Sequence, residues 1–285
     1  MDINIKIVGV GEGGAKAITK MMTAGVGKGK AIEFIAIGND ENIMLTSAAR
    51  KNIFLNRDLT TIYKNVFDAL NGADLIFIVA GLAGNAARIS IPIITSFAKA
   101  YDAVTVAFIC KPSILESTSR KINADYTLIN LRGNVDTLFV VPAEKFFIFC
   151  IDRPQISLHE LFDVADDIFC RGVKNFLDMS NASLELFKRG NAAFGFGEAT
   201  TALDAIKLAT KFPTLEEDEL KTATKIFVRL VSGCPLPLTS LDAAKKFIKT
   251  QLQPDTEFLS QEAINPLLGE KISALIVCTR KDEKR

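Results

Sequence analysis

Short runs of Val, Ile and Phe alternate with amphipathic stretches through the first half of the chain. Ile3 to Val10 is one such run; glycines follow it, and Ala15 to Met22 then carries helical spacing. The same pattern predicts a strand over Ile32 to Ile37, a helix over Thr60 to Leu70 and a strand over Asp74 to Ala80. A helix over Ile89 to Ala100 and strands over Ala103 to Cys110 and Thr137 to Val141 complete the alternation. Strands that are apolar at nearly every position are covered on both faces, so the pattern predicts a parallel sheet between two layers of helices.

Ser157 followed by Glu160 reads as a capping box, and it opens a long amphipathic helix reaching to about Met179, striped by Leu161, Phe162, Ala165, Ile168, Phe169, Val173, Phe176 and Leu177. Beyond it the pattern changes. Ala192 to Gly197, Thr224 to Ser232, Thr256 to Leu259 and Ile272 to Thr279 read as strands, with helices over about Ala199 to Phe212 and Ser240 to Leu252. The expected organisation is an α/β domain over residues 1–156, a central helix over 157–180 and a smaller α+β domain over 181–285.

Composition narrows the chemistry. The 285 residues carry 34 Lys and Arg against 33 Asp and Glu, a net charge of +1, so no whole-molecule field draws the chain to nucleic acid or to an anionic membrane. No apolar run reaches the roughly 18 residues of a membrane span, and the N-terminus lacks a signal-peptide pattern, so a cytoplasmic protein is expected. The five cysteines are scattered without a C-x-x-C pair, which suits reduced thiols and argues against a structural metal. His159 is the single histidine and stands in the first turn of the long helix, so multi-histidine metal centres and histidine-dependent triads have little to build on.

The candidate chemistry begins at Gly9-Val10-Gly11-Glu12-Gly13-Gly14, which joins the first strand directly to the first helix. Glycines there allow backbone N–H groups and a helix N-terminus to approach an anion. Gly9, Gly11 and Gly14 also satisfy G-x-G-x-x-G, so a dinucleotide site with Asp40 as its ribose acid, and hence an NAD-dependent oxidoreductase, is one reading; a tight turn holding no ligand is another. Glu12 opposes phosphate binding at that turn unless it points to solvent.

The run I-K-I-V-G-V-G-E-G-G-A-K-A-I (Ile5 to Ile18) resembles the first glycine loop of the tubulin/FtsZ family. Further similarity follows in chain order at I-E-F-I-A-I-G-N-D (Ile32 to Asp40), G-A-D-L-I-F-I-V-A-G (Gly72 to Gly81), V-D-T-L-F-V-V-P (Val135 to Pro142) and E-L-F-D-V-A-D-D-I-F-C-R-G-V (Glu160 to Val173). It continues through F-G-F-G (Phe194 to Gly197), I-F-V-R-L-V-S-G (Ile226 to Gly233) and S-A-L-I-V-C-T (Ser273 to Thr279). The resemblance implies a tubulin/FtsZ-like α/β fold: a parallel-sheet GTPase-type domain, a central helix touching the guanine of GTP or GDP, and an α+β domain facing the next subunit of a filament. It places Gly11, Gly13 and Gly14, with Gly81 and Gly84, against the phosphates and Asp40 in the second nucleotide loop. Glu116 and Arg120 fall on the ribose and base side, with Phe162 stacking on guanine and Asp166 bonding its edge. Read singly, Phe162 is also a core position, Asp40 a helix cap, and Glu116 with Arg120 a four-apart ion pair.

The departures from the family pattern cluster on chemistry. The second phosphate loop, G-G-G-T-G-T-G in the family, here reads Ala83-Gly84-Asn85-Ala86-Ala87-Arg88-Ile89, where Arg88 could bind phosphate or occupy its place and pair with Glu12 or Asp40. Between Leu55 and Leu59 a further glycine loop is missing; after the central helix no N-x-D-x-x-D appears, Glu185 being the one acidic residue; and Ala143 replaces a guanine-side Asn. No catalytic residue is therefore assigned. The expectation is a pseudo-GTPase with weak or absent GTP/GDP binding that self-assembles or modulates a true FtsZ by head-to-tail contacts, without a direct membrane anchor. The alternative is a GTP-binding, slowly hydrolysing filament protein using Arg88 and Glu185.

Overall fold

The computed structural model describes residues 3–56, 58–150, 155–178, 192–211, 215 and 217–279, side chains excepted at 147–150, 158, 159, 192, 217 and 218. Two compact units divide the chain, Met1–Asp178 and Met179–Arg285, so the long helix belongs to the first unit rather than forming a segment of its own.

The first unit is built on six parallel strands, β1 (Ile5–Val10), β2 (Ile32–Gly38), β3 (Lys51–Phe54), β4 (Leu75–Gly81), β5 (Val104–Lys111) and β6 (Thr137–Pro142), in the order β3-β2-β1-β4-β5-β6. This is the doubly wound order, whose direction of growth reverses between β1 and β4. Val10 pairs with both Ile37 and Ala80, so β1, β2 and β4 end level at one edge. Helices α3 (Leu59–Leu70), α4 (Asn85–Ala100) and α5 (Thr118–Leu131) bury Ile62, Val66, Ile91, Ile94, Ala124 and Leu128 in the core on one face.

Helices α1 (Gly11–Thr23) and α6 (Leu158–Leu177) pack together, and α6 joins Phe77, Phe108, Phe139, Phe169 and Phe176 into one aromatic cluster, with Phe139 and Phe176 5.5 Å apart. The expected capping box is formed: the Ser157 N–H donates to Glu160 Oε2 at 2.8 Å and the Glu160 N–H to Ser157 Oγ at 3.2 Å. A cap of this kind stabilises a helix by about 1 kcal/mol. Lys20 reinforces the α1–α6 contact through an ion pair to Asp167 at 2.8 Å and a hydrogen bond to the Asp163 carbonyl at 3.0 Å.

Four elements of this unit have no counterpart in the expected pattern: β3, the short helix α2 (Glu41–Thr46), α5 and a 3-10 helix over Ala143–Cys150. For α5 the reason is visible. Ala124, Leu128 and Leu131 face the core, yet Ile122, Tyr126 and Ile129 are all more than half exposed, so apolar residues lie on both sides and no stripe stands out. The second unit is a four-stranded sheet in the order β7-β10-β8-β9, with β7 (Ala192–Ala199), β8 (Lys225–Ser232), β9 (Glu257–Ile264) and β10 (Ile272–Thr279). β10 runs antiparallel to β7 and β8, and the helices Ala202–Ala209 and Leu238–Lys249 cover one face.

Candidate functional site

In an open α/β sheet, ligands bind outside the carboxyl ends of the strands where the winding reverses. Here that crevice is a cavity of about 650 Å³, within the 300–1,000 Å³ typical of small-molecule sites. Its floor and one side come from the turns after β1 (Gly11 to Gly14), β2 (Gly38 to Asp40), β4 (Gly81 to Ala87) and β5 (Lys111, Pro112); Glu116, Arg120, Phe162 and Asp166 complete the lining from α5 and α6.

The glycines of the first turn have distinct reasons to be glycine. A Cβ on Gly9 would lie 2.3 Å from the Gly14 carbonyl oxygen, and one on Gly14 2.4 Å from that of Val79, so the close approach of α1 to β1 and β4 excludes any side chain. Gly11 sits at φ +72°, a left-handed conformation that costs other residues roughly 1–2 kcal/mol. Gly13, Gly81 and Gly84 are different: a Cβ on any of them would meet no atom within 4 Å, and each lines the cavity. The N-terminal residues of α1 and α4 follow Val10 and Gly84 as caps, neither with a side-chain cap bond.

Charged groups line the cavity in pairs. Glu12 and Lys16 lie one turn apart on α1 with Lys16 Nζ 2.8 Å from Glu12 Oε1, both about half exposed. An exposed pair of this spacing is worth ~0.3–0.5 kcal/mol. Glu116 is held more firmly: its side chain is 11% exposed, it accepts from the Ser113 N–H at 3.1 Å, and Arg120 Nη1 lies 2.8 Å from its second oxygen. Asp40 caps α2, accepting from the Ile43 N–H at 3.3 Å, while lining the cavity.

Phe162 is exposed on α6 while its neighbours Leu161 and Ala165 are buried, so this member of the apolar stripe faces the cavity rather than the core. Asp166 makes no hydrogen bond or ion pair among the described residues; its carboxyl is pushed up to about 7, first by burial, with the nearby carboxylate of Asp163 adding and Lys20 opposing. Cys110, at the end of β5, is pushed up to about 12 by burial and by Glu116, Asp166 and Glu144, which makes it a neutral thiol and a poor nucleophile.

The cavity thus brings together Gly11, Gly13, Gly14, Asp40, Gly81, Gly84, Glu116, Arg120, Phe162 and Asp166. Arg88 is the correction. It is exposed and outside the lining, and the expected pairs with Glu12 or Asp40 are not formed, since Glu12 pairs with Lys16 and Asp40 caps α2. The cause is helical phase: Ala86, Ala87, Ser90, Ile91 and Ile94 form the buried face of α4, which turns Arg88 away. Lys16 and Lys111 are lining cations absent from the sequence candidates; for Lys16 its position one turn after Glu12 is the available signal.

Where the family has a further glycine loop, four residues connect β3 to α3, and Asp58 caps α3 by accepting from the Thr60 N–H at 3.0 Å. The side chain of His159 and the whole stretch 179–191, including Glu185, lie outside the described residues. Among the described residues no helix is long and apolar enough to cross a membrane, and no group of His, Cys, Asp or Glu is arranged to hold a metal ion.

Sheet order, glycine turns and a cavity at the winding reversal define a doubly wound α/β protein with a ligand crevice at its switch point. That order is shared with dinucleotide-binding folds, so it does not by itself separate the two readings. Comparison with known proteins does. No protein-family profile matches the chain. It is 28% identical over 306 aligned positions to cell division protein FtsZ 1 of Thermococcus kodakarensis, covering 96% of this chain and 80% of that protein. The solved structure of an FtsZ point mutant from M. jannaschii superposes with a TM-score of 0.84 at 24% identity, covering 98% of this chain and 91% of that one. CetZ2 of Haloferax volcanii, solved as a GTPγS-bound protofilament, gives 0.75 at 15% identity, with 99% and 95% covered. The chain is thus similar in sequence to an FtsZ along nearly its whole length and has the fold of the FtsZ and CetZ structures.

Proposed function

We propose that this chain is an FtsZ-like cytoskeletal protein of the cytoplasm whose cleft takes a guanine nucleotide and hydrolyses it slowly or not at all. It acts by assembly, with copies of itself or on the filament of a true FtsZ. The observation that carries the nucleotide is the cavity between the two glycine turns, with Asp166 unpartnered among the described residues at its α6 wall. The residues fit the ligand. Gly13, Gly81 and Gly84 leave room for phosphate against bare backbone, Phe162 offers a ring face to a base, and an ionised Asp166 can accept from the N–H edge of guanine. Glu116 and Arg120 line the same cavity, and the family resemblance supports reading them as its ribose side.

Loss of hydrolysis rests on the sequence. Gly84 alone remains of the glycines in the stretch 83–89, both threonines of the family loop are gone, and residues 179–190 contain a single carboxylate where the family's N-x-D-x-x-D carries two. Catalysis of phosphoryl transfer to water is chiefly positioning and charge stabilisation, and one displaced carboxylate orients a water poorly. Head-to-tail contacts leave two unsatisfied ends, which is how such a subunit would extend or cap a filament.

The test is calorimetry of GTP, GDP and NADH on the nucleotide-stripped protein, with phosphate release and sedimentation measured alongside, each with and without an FtsZ. Micromolar guanine-nucleotide binding, little phosphate release and a change in polymer mass are expected. Absence of GTP and GDP binding overturns the nucleotide reading. Rapid phosphate release by the protein alone overturns the loss of hydrolysis, and an unchanged polymer mass in every mixture overturns the assembly role.

A further inference from the structure

The lining of the cavity is short of available positive charge. Arg120 is engaged by Glu116, and Lys111 by Asp125 at 3.0 Å, while Asp40 and Asp163 add negative charge. A polyanionic ligand at the glycine turns therefore needs a cation that can be released cheaply. Lys16 is that cation. It stands one helix turn after Glu12, just beyond the glycines, and its pairing with Glu12 is exposed on both sides, the weakest setting for an ion pair. Lys20, the next cation of α1, is tied to α6 through Asp167 and the Asp163 carbonyl.

Resting on the nucleotide reading above, we infer that Lys16 is the phosphate-binding cation of this cleft: it exchanges Glu12 for the ligand's phosphate, supplying charge where the second glycine loop has lost its hydroxyls. In the absence of ligand the two charges of the pair cancel each other. With ligand, the ammonium satisfies phosphate and the Glu12 carboxylate returns to water, so selectivity for a phosphorylated nucleoside over the bare nucleoside depends on Lys16. This also accounts for a carboxylate beside the glycines, which acts as a removable counter-ion.

The experiment is calorimetry with GDP, GTP and guanosine on the wild type, Lys16→Ala, Lys16→Arg, Glu12→Ala and the Glu12→Ala/Lys16→Ala double variant, each checked for an unchanged melting temperature. Lys16→Ala is expected to weaken GDP and GTP by about tenfold or more and leave guanosine unchanged. Lys16→Arg retains most of the affinity, Glu12→Ala tightens GDP several-fold, and the double variant stays weak. If Lys16→Ala binds GDP as the wild type does, or if the double variant regains wild-type affinity, Lys16 merely cancels Glu12 and the inference falls while the nucleotide reading stands. If the wild type binds none of the three ligands, the nucleotide reading itself fails and takes this inference with it.

Discussion

The two ends of the cavity are made by different means. At the strand ends the wall is backbone: the turns after β1 and β4 present glycines, small residues and two helix N-termini without side-chain caps. At the α5 and α6 end it is side chain: Glu116, Arg120, Phe162 and Asp166. Within the backbone end a second division appears. Gly9 and Gly14 are demanded by helix-on-strand packing, whereas Gly81 and Gly84 meet nothing. The G-x-G-x-x-G pattern is therefore explained in large part by the fold, and the glycines with no packing reason are those outside the motif. A glycine motif reports close backbone contact first, and ligand second.

This contrast sets the order of the expected effects. Gly9→Ala or Gly14→Ala should destabilise the first unit by about 3 kcal/mol or more, because the new methyl overlaps a backbone carbonyl oxygen, that of Gly14 in α1 or of Val79 in β4; urea denaturation checks it, and a wild-type midpoint would show that α1 can move off β1. Gly11→Ala should cost roughly 1–2 kcal/mol, the penalty of an L-residue in the left-handed region, since its Cβ would stand at an ordinary 3.7 Å from that of Ala86.

The side-chain end should titrate where the backbone end does not. Asp166 holds its proton to about 7 in the folded protein, against ~3.9 in an unfolded chain. Between those values the folded state binds more protons, so stability falls as pH rises through the window and levels off above it. Melting temperatures from acid to neutral pH should show the wild type losing ground relative to Asp166→Asn, while Gly84→Ala keeps the wild-type profile. A constant offset between wild type and Asp166→Asn would mean that the carboxyl ionises normally in the cleft.

The smallest effect is expected at the open glycines. Gly84 lies in the extended region at φ −104° with free space around it, so Gly84→Ala should change stability by less than about 1 kcal/mol, the poorer N-cap offsetting the chain entropy gained. Its consequence should be confined to guanine-nucleotide affinity, which drops as the methyl intrudes on the cavity. Equal affinities in calorimetry would place the phosphates elsewhere in the cleft.

Much of this was legible in the chain. Continuous apolar runs identified β1, β2, β4, β5 and β6, because strands buried on both faces leave no polar alternation, and the Ser157–Glu160 box marked the start of α6 to the residue. Colinear resemblance placed ten of the eleven candidate residues around one cavity. The missed elements are those with the weakest burial signal. β3 has four residues at a sheet edge, and α5 exposes Ile122, Tyr126 and Ile129 opposite its buried face.

Local pattern and hydrophobic period, which act between near neighbours in the chain, determined the strands and the long helix, and the resemblance to the tubulin/FtsZ family came from colinear segments. What they could not decide is where a side chain points once a helix is docked. Arg88 was read from its place in a segment, yet the phase of α4 is set by the burial of Ala87, Ile91 and Ile94 against the sheet, and that turns the guanidinium outward. Lys16 entered the cavity for the same kind of reason, because packing of Ala15, Ala17 and Ile18 leaves the intervening position facing the cleft. Rotation of a helix about its axis is fixed by all its buried contacts at once, and those exist only in the folded chain.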